Sequence, residues 1–194
     1  MRLTREAKAQ HHDEITLAAS KMLRERGIER TSLIDLMRTA GLTHGGFYRH
    51  FKSKDELVAL SASKAFEEVA ERFDKRTAEA GPKTALIAYV LEYLSDVHRD
   101  DPGMGCMISA CGADASRQGA IVRGAFTIGI SKLLDLAAEG LSCPDVKRAD
   151  RAIELGGLML GALVMARATN DADLSKSILA KARHRALEII EEKT

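Results

Sequence analysis

Tryptophan is absent from the 194-residue chain, there are three prolines, and aromatic residues make up only 4%. Strands draw on aromatic and β-branched runs that alternate with period two. No such run occurs, which argues against an all-β fold. A clear excess of one charge is also lacking: 29 Lys and Arg face 28 Asp and Glu, a net of +1. Phosphate binding needs a basic surface, so the total taken alone argues against nucleic acid. Long hydrophobic runs are missing too. The longest, Leu155–Ala166, lies between Glu154 and Arg167. A membrane-spanning helix needs about 20 apolar residues, so this run reads as a buried helix. Three cysteines, an odd number, read as free thiols in a reducing compartment rather than as a disulfide framework. The opening MRLTREAKAQ has no apolar stretch after its charges, unlike a secretory leader. These features together predict a cytoplasmic protein, and an apolar fraction of 45% predicts a globular one.

What is present is unevenly distributed. Residues 1–55 hold 11 Lys and Arg against 7 Asp and Glu, a net of +4, and residues 56–194 hold 18 against 21, a net of −3. His11, His12, His44 and His50 all lie in the first segment, as do the clustered aromatics Phe47, Tyr48 and Phe51. A basic, locally aromatic head on a mildly acidic body predicts two different kinds of partner.

The periodicity is helical throughout. Ile15, Leu17, Ala18, Met22 and Leu23 form a stripe within a helix over 5–26, with Gly27 placed as a C-cap. Thr31-Ser32 can cap a second helix ending at Gly41, and Thr43 can cap a third through His50. Ser53 with Glu56 three residues on is a capping box for a helix running to Thr77. Further helices are predicted over 84–99, 105–113, 117–139, 146–168 and 172–191. The expected architecture is therefore all-α, with about nine helices in two parts: a helix-turn-helix DNA-binding domain over 1–52, and an effector-binding and dimerisation domain over 53–194.

The segment TSLIDLMRTAGLTHGGFYRHFKSK, residues 31–54, carries the chemistry. It predicts two short helices joined by a tight Gly41-Leu42 turn, a helix-turn-helix whose second helix enters the major groove. The Thr43 hydroxyl and the amides at the start of that helix can bond phosphate. Gly45 and Gly46 remove side-chain bulk, so backbone can approach DNA closely. His44, Tyr48, Arg49, His50, Lys52 and Lys54 supply hydrogen-bond donors. Phe47 and Phe51, four apart, share a face and anchor the helix. A metal site is not expected: His44 and His50 are about 120° out of alignment on a helix, His11 and His12 are adjacent, and neither H-E-x-x-H nor C-x-x-C is present. The absence of a G-x-S-x-G, P-loop or dinucleotide fingerprint predicts no catalytic residues and no cofactor.

The residues AGLTHGGFYRHFKSKDEL resemble the helix-turn-helix of the tetracycline-repressor (TetR) family, through Ala40, Gly41, Leu42, Thr43, Gly45, Phe47, Tyr48, His50, Phe51, Ser53, Lys54, Asp55 and Leu57. The resemblance implies that Thr31, Ser32, Thr43, His44, Gly45, Tyr48, His50 and Lys54 lie at a DNA surface. Thr31, Thr43, Tyr48, His50 and Lys54 would touch mainly phosphates. His44, Gly45 and Gly46 would sit nearest base edges, with Arg49 flanking. Ile34 stands where the family favours a polar residue and Met37 where it favours alanine; both are expected to reflect packing.

For the body the resemblance implies a cavity for a small-molecule effector. Its expected lining is drawn from Phe66, Tyr89, Tyr93, Met104, Cys106, Met107, Phe126 and Met159; plain core packing is the commoner role for each residue singly, and some of the group are expected to line the cavity. Cys106 follows a Pro-Gly turn at the start of a predicted helix, a position that favours a reactive thiolate, and it can instead serve as a small buried hydrophobe. Glycines inside the helix 155–166 cost about 1 kcal/mol each against alanine unless close packing compensates. Gly157, Leu160, Gly161 and Val164, with Ile178 and Ala182 of the last helix, are the expected dimer interface. The resemblance implies an antiparallel four-helix bundle with a second copy, and intramolecular packing is the alternative. The expectation is a homodimeric, ligand-responsive repressor of a palindromic DNA operator, with no membrane partner. A thiol-based sensor using Cys106 is the alternative within that frame, and a helical enzyme or adaptor the alternative outside it.

Overall fold

The computed structural model of the chain describes residues 5–193, except for the side chains of residues 5–8 and 44. Among the described residues there are ten α-helices, one short 3-10 turn and no strand. They are α1 (Arg5–Arg26), α2 (Leu33–Thr39), α3 (His44–Phe47), α4 (Lys54–Ala80), α5 (Pro82–Tyr93), α6 (Asp96–Asp100), α7 (Met107–Ala115), α8 (Ala120–Glu139), α9 (Asp145–Ala168) and α10 (Ala172–Glu191), with the 3-10 turn at Pro102–Met104. The all-α architecture expected from periodicity is the one observed.

Local chemistry sets most of the boundaries. α1 stops at Gly27, whose φ of 83° lies in the left-handed region that glycine enters without strain. Ser32 and Asp35 cap α2 reciprocally, each side chain accepting the other's backbone N–H. The Thr43 hydroxyl accepts the Gly46 N–H at 3.2 Å and opens α3. Ser53 accepts the Glu56 N–H at 3.1 Å, but the Glu56 carboxylate reaches back to the Lys52 N–H, one residue earlier than a standard box. One expected helix divides. The segment predicted over 84–99 breaks at Leu94, where ψ is 36°, and Ser95 caps the separate α6 by accepting the His98 N–H at 3.1 Å. Ten helices rather than nine result.

The chain forms two compact units, residues 1–67 with 106–129, and residues 68–105 with 130–194. The first unit thus adds the first half of α4, α7 and the first half of α8 to the segment 1–52 expected as the head. Its core gathers Ile15, Ala19, Met22, Leu36, Met37, Phe47, Phe51 and Leu57. α8 crosses α4 closely within this unit. A Cβ at Gly129 would fall 2.1 Å from the Phe66 ring, so no other residue fits there without displacing that ring. In the second unit α10 packs along α9 and α5, burying Leu155, Leu163, Leu179, Ala186, Ile189 and Ile190 with Leu86 and Val90. Ion pairs tie the end of α10 to its neighbours, among them Lys83–Glu191 at 2.6 Å and Arg151–Glu192 at 2.7 Å.

Candidate nucleic-acid interface

α2 turns Leu33, Leu36, Met37 and Ala40 toward the core of the first unit. The chain then reverses at Gly41, where φ is 63°, and the Leu42 N–H donates to the Met37 carbonyl at 2.8 Å. α3 follows at once. Phe47 and Phe51 are fully buried, their ring centroids 5.5 Å apart, and they fix the short helix to the core. The opposite face is left to solvent: Thr43, Gly45, Tyr48, Arg49 and Lys52 are exposed. A Cβ at Gly45 would meet nothing within 4 Å, so this part of the backbone is open to an incoming surface. Arg26, Arg30 and Arg38, which lie outside the motif's expected contacts, are exposed in the same unit. Two helices joined by a tight turn, with a capped second helix presenting hydroxyl, phenol and guanidinium groups over bare backbone, form a surface suited to phosphates and groove edges.

The expected DNA-facing residues separate into three groups. Ser32, Thr43, Gly45, Tyr48 and Arg49 are exposed, and Gly46 and His50 are half-buried. The His44 side chain lies outside the described residues. Thr31 is a correction. It is 0% exposed and its hydroxyl donates to the Gly27 carbonyl at 2.7 Å, so it holds the α1–α2 loop rather than a phosphate. Lys54 is half-buried and gives one N–H to the Ile28 carbonyl at 3.1 Å, and the Arg49 Nε donates to the Gly45 carbonyl at 3.3 Å. Met37 is buried as expected of a packing residue, but Ile34 is 62% exposed, so packing does not explain it. The Ser32 hydroxyl and amide hold the Asp35 carboxyl below the usual carboxylate range, which keeps the α2 cap ionised.

Residues distant in sequence hold the head in place. The Asp114 carboxylate of α7 accepts the N–H of Ile28 at 2.8 Å and of Glu29 at 3.4 Å, and a Cβ at Gly27 would stand 2.7 Å from it. Arg117 bridges Asp114 and Glu29. The buried Cys111 thiol donates to the Leu23 carbonyl at 3.2 Å, and burial pushes its pKa up to about 12, which fixes it as a proton donor. Local sequence gives no signal for these contacts, which join residues 85 or more positions apart. His11 and His12 also approach His50, with centroids 5.2 and 6.4 Å away, a gathering that spacing alone does not reveal. Among the described residues no group of three His, Cys, Asp or Glu could hold a metal ion.

The eight residues expected to line a cavity are divided. Phe66, Cys106, Met107 and Phe126 are buried in the first unit, where Phe66 and Phe126 meet edge to face at 5.6 Å. In the second unit Tyr93 and Met159 are buried and Tyr89 is half-buried, its ring 5.7 Å from that of Tyr93. Met104, 62% exposed on the 3-10 turn, is not placed as a wall residue within the chain. Of the expected dimer residues, Gly157 and Val164 are exposed, Leu160, Gly161 and Ile178 are half-buried, and Ala182 is buried within its own chain.

Residues 15–60, from the middle of α1 to the start of α4, match the family described as bacterial regulatory proteins of the tetR family. These residues carry a tetR-type DNA-binding domain. The head also resembles curated regulators. It is 40% identical to the HTH-type transcriptional regulator TtgR of Pseudomonas putida over 58 residues, 30% of this chain and 28% of that one. It is 38% identical to the HTH-type transcriptional repressor KstR2 of Mycolicibacterium smegmatis over 50 residues, 26% of this chain and 24% of that one. A longer match, 26% identical over 140 residues and 69% of each chain, is to the regulator CymR of Pseudomonas putida. The matched segments thus cover about a quarter of the length of KstR2 and TtgR. The TetR-type fold extends over the whole chain. A TetR-family regulator from Cytophaga hutchinsonii superposes with a TM-score of 0.78 over all of both chains at 19% identity. The reduced form of Escherichia coli NemR does so with a TM-score of 0.77 at 20% identity, over 94% of this chain and 97% of that one.

Proposed function

We propose that the protein is a homodimeric transcription regulator that binds a palindromic duplex operator through α2 and α3 and releases it when a small molecule occupies the body. The observation that carries the reading is the solvent-facing side of α3, where Thr43, Tyr48 and Arg49 stand over exposed Gly45 while Phe47 and Phe51 lock the helix from behind. Ser32, Thr43, Tyr48, His50 and the remaining N–H groups of Lys54 serve phosphates. His44 and the Gly45–Gly46 backbone lie nearest base edges, with Arg49 flanking. The names of TtgR, KstR2 and CymR support transcriptional regulation, and that of KstR2 supports repression. A regulator of this kind is not an enzyme and works in the cytoplasm. No described helix is long and apolar enough to cross a membrane.

Dimerisation is assigned to α9 and α10 of residues 53–194. Ile153, Gly157, Leu160, Gly161 and Val164 recur on one face of α9, and a Cβ at Gly157 or Gly161 would meet nothing in the chain. The fold itself therefore does not require glycine at either position, while close approach of a second copy would. Two heads one helical turn apart, about 34–36 Å, then double the phosphate contacts of a +4 head.

The test is a mobility shift of the full chain on DNA from upstream of its own coding sequence. Specific binding is expected to fall about 10³-fold or more between 50 and 200 mM salt if about six or more phosphates are neutralised. Absence of a specific shift at moderate salt, with the dimer intact, overturns the proposal. A second reading, release triggered by thiol modification, rests on Cys106 at the N-cap of α7 and on the likeness to a regulator solved in a form called reduced. Mass spectrometry after electrophile treatment tests it. DNA release with Cys106 unmodified rules it out.

A further inference from the structure

Ile34 is the anomaly of the α2–α3 surface. Every other apolar residue of α2 turns inward: Leu36 and Met37 are buried and Leu33 packs against the same core. Ile34 lies opposite them and is 62% exposed. Arg38, one turn on, shares its outward face and is exposed as well. A β-branched apolar side chain beside an arginine, on the helix adjoining α3, is unsuited to phosphate, which needs donors.

α3 itself is poor in side chains that could read bases. Of its four residues, Gly45 and Gly46 have none and Phe47 is committed to the core. The Thr43 hydroxyl already accepts the Gly46 N–H, and the Arg49 Nε is bonded to the Gly45 carbonyl. Of the four, His44 alone is left to offer a side chain to base edges, so further discrimination draws on neighbouring positions. The one apolar feature that a base pair shows in the major groove is the 5-methyl group of thymine, and apolar side chains recognise it.

We infer that Ile34 is a specificity-determining residue that reads a thymine methyl in each half of the operator. This rests on the DNA-binding role proposed above and adds a chemical group to be recognised. The basic surroundings, with Arg26, Arg30, Arg38 and Lys52 all exposed in the same unit, hold the duplex against this side chain without adding sequence preference.

Replacing thymine by uracil removes the methyl and leaves every hydrogen bond in place. The full chain is used to enrich a duplex from a random pool, and each thymine of that duplex is replaced in turn by uracil. At one thymine per half-site the swap is expected to weaken binding about fourfold, the effect of exposing one apolar carbon group. Ile34→Ala, at an exposed position where an unchanged melting temperature is expected, is predicted to bind thymine and uracil duplexes equally. An unequal response of Ile34→Ala that matches the parent chain at every position overturns the inference while leaving DNA binding intact. A parent chain indifferent to every swap overturns it in the same way. A chain that enriches no duplex overturns the DNA-binding reading and this contact with it.

Discussion

The α2–α3 segment and the α9–α10 pair solve different physical problems. The first is short, and its residues divide the work among them. Ser32 and Thr43 cap, Gly41 turns, Phe47 and Phe51 anchor, and Tyr48 and Arg49 face outward. The second is long and redundant. Its helices bury a broad apolar face through many equivalent leucines, alanines and isoleucines, while Ile153, Val164, Met165 and Leu174 remain exposed. A surface that must match a fixed external geometry is built from irreplaceable parts. A surface that pairs with its own copy, as proposed for α9 and α10, can be built from interchangeable ones. The difference predicts that substitutions in the head act singly and sharply, and that those in the pair of long helices act mainly on association.

The strongest test of that contrast is Phe47→Ala. The side chain is fully buried where α3 meets the core, and its loss is expected to cost about 3–5 kcal/mol. Chemical denaturation should show the drop, and DNA binding should vanish with it. Val164→Asp comes next. It places a charge on the outward face of α9 and is expected to weaken self-association tenfold or more, about 1.4 kcal/mol, which sedimentation at micromolar concentration would reveal. An unchanged dimer would remove α9 from the seam. Gly27→Ala forces a left-handed backbone on alanine and drives its methyl into Asp114, at a cost of about 1–3 kcal/mol. Amide exchange should accelerate at Ile28 and Glu29 before the rest of the chain responds.

The smallest effect is a pH dependence in the second unit. Burial lowers the His98 pKa below its ordinary value, and its Nδ1–H donates to the Tyr93 carbonyl at 2.7 Å. The unfolded chain therefore takes up the proton first. Stability contributed by the neutral ring is fully present above about pH 6.5 and declines as pH falls below it. His98→Gln keeps a donor without the titration, so its melting temperature should change less between pH 6.5 and 5 than that of the parent.

The local parts of the fold are legible in the sequence because their causes are local. Gly27, Gly41, Ser32, Thr43 and Ser53 end or start helices through groups within four residues, and Phe47 and Phe51 are buried as their spacing requires. The break at Leu94 is harder to read, since the apolar pattern runs on across it and the only local signal is the capping hydroxyl of Ser95. Thr31 misleads for a related reason: a threonine before a cap reads as surface, yet it closes the loop on Gly27. Ile34 is expected to pack and does not. The Asp114 contact with Ile28 lies beyond any window of periodicity.

Because residues 106–129 belong to the same compact unit as the first 67, the reading head is not a transplantable part. Cutting the chain after the helix-turn-helix would strand the amides of Ile28 and Glu29 without the carboxylate they bond. A chimera that joins this head to another body would need an acidic side chain restored at the end of the corresponding helix. If the head binds DNA as proposed, change in its operator preference is tied, through one aspartate, to a segment that shares none of the motif.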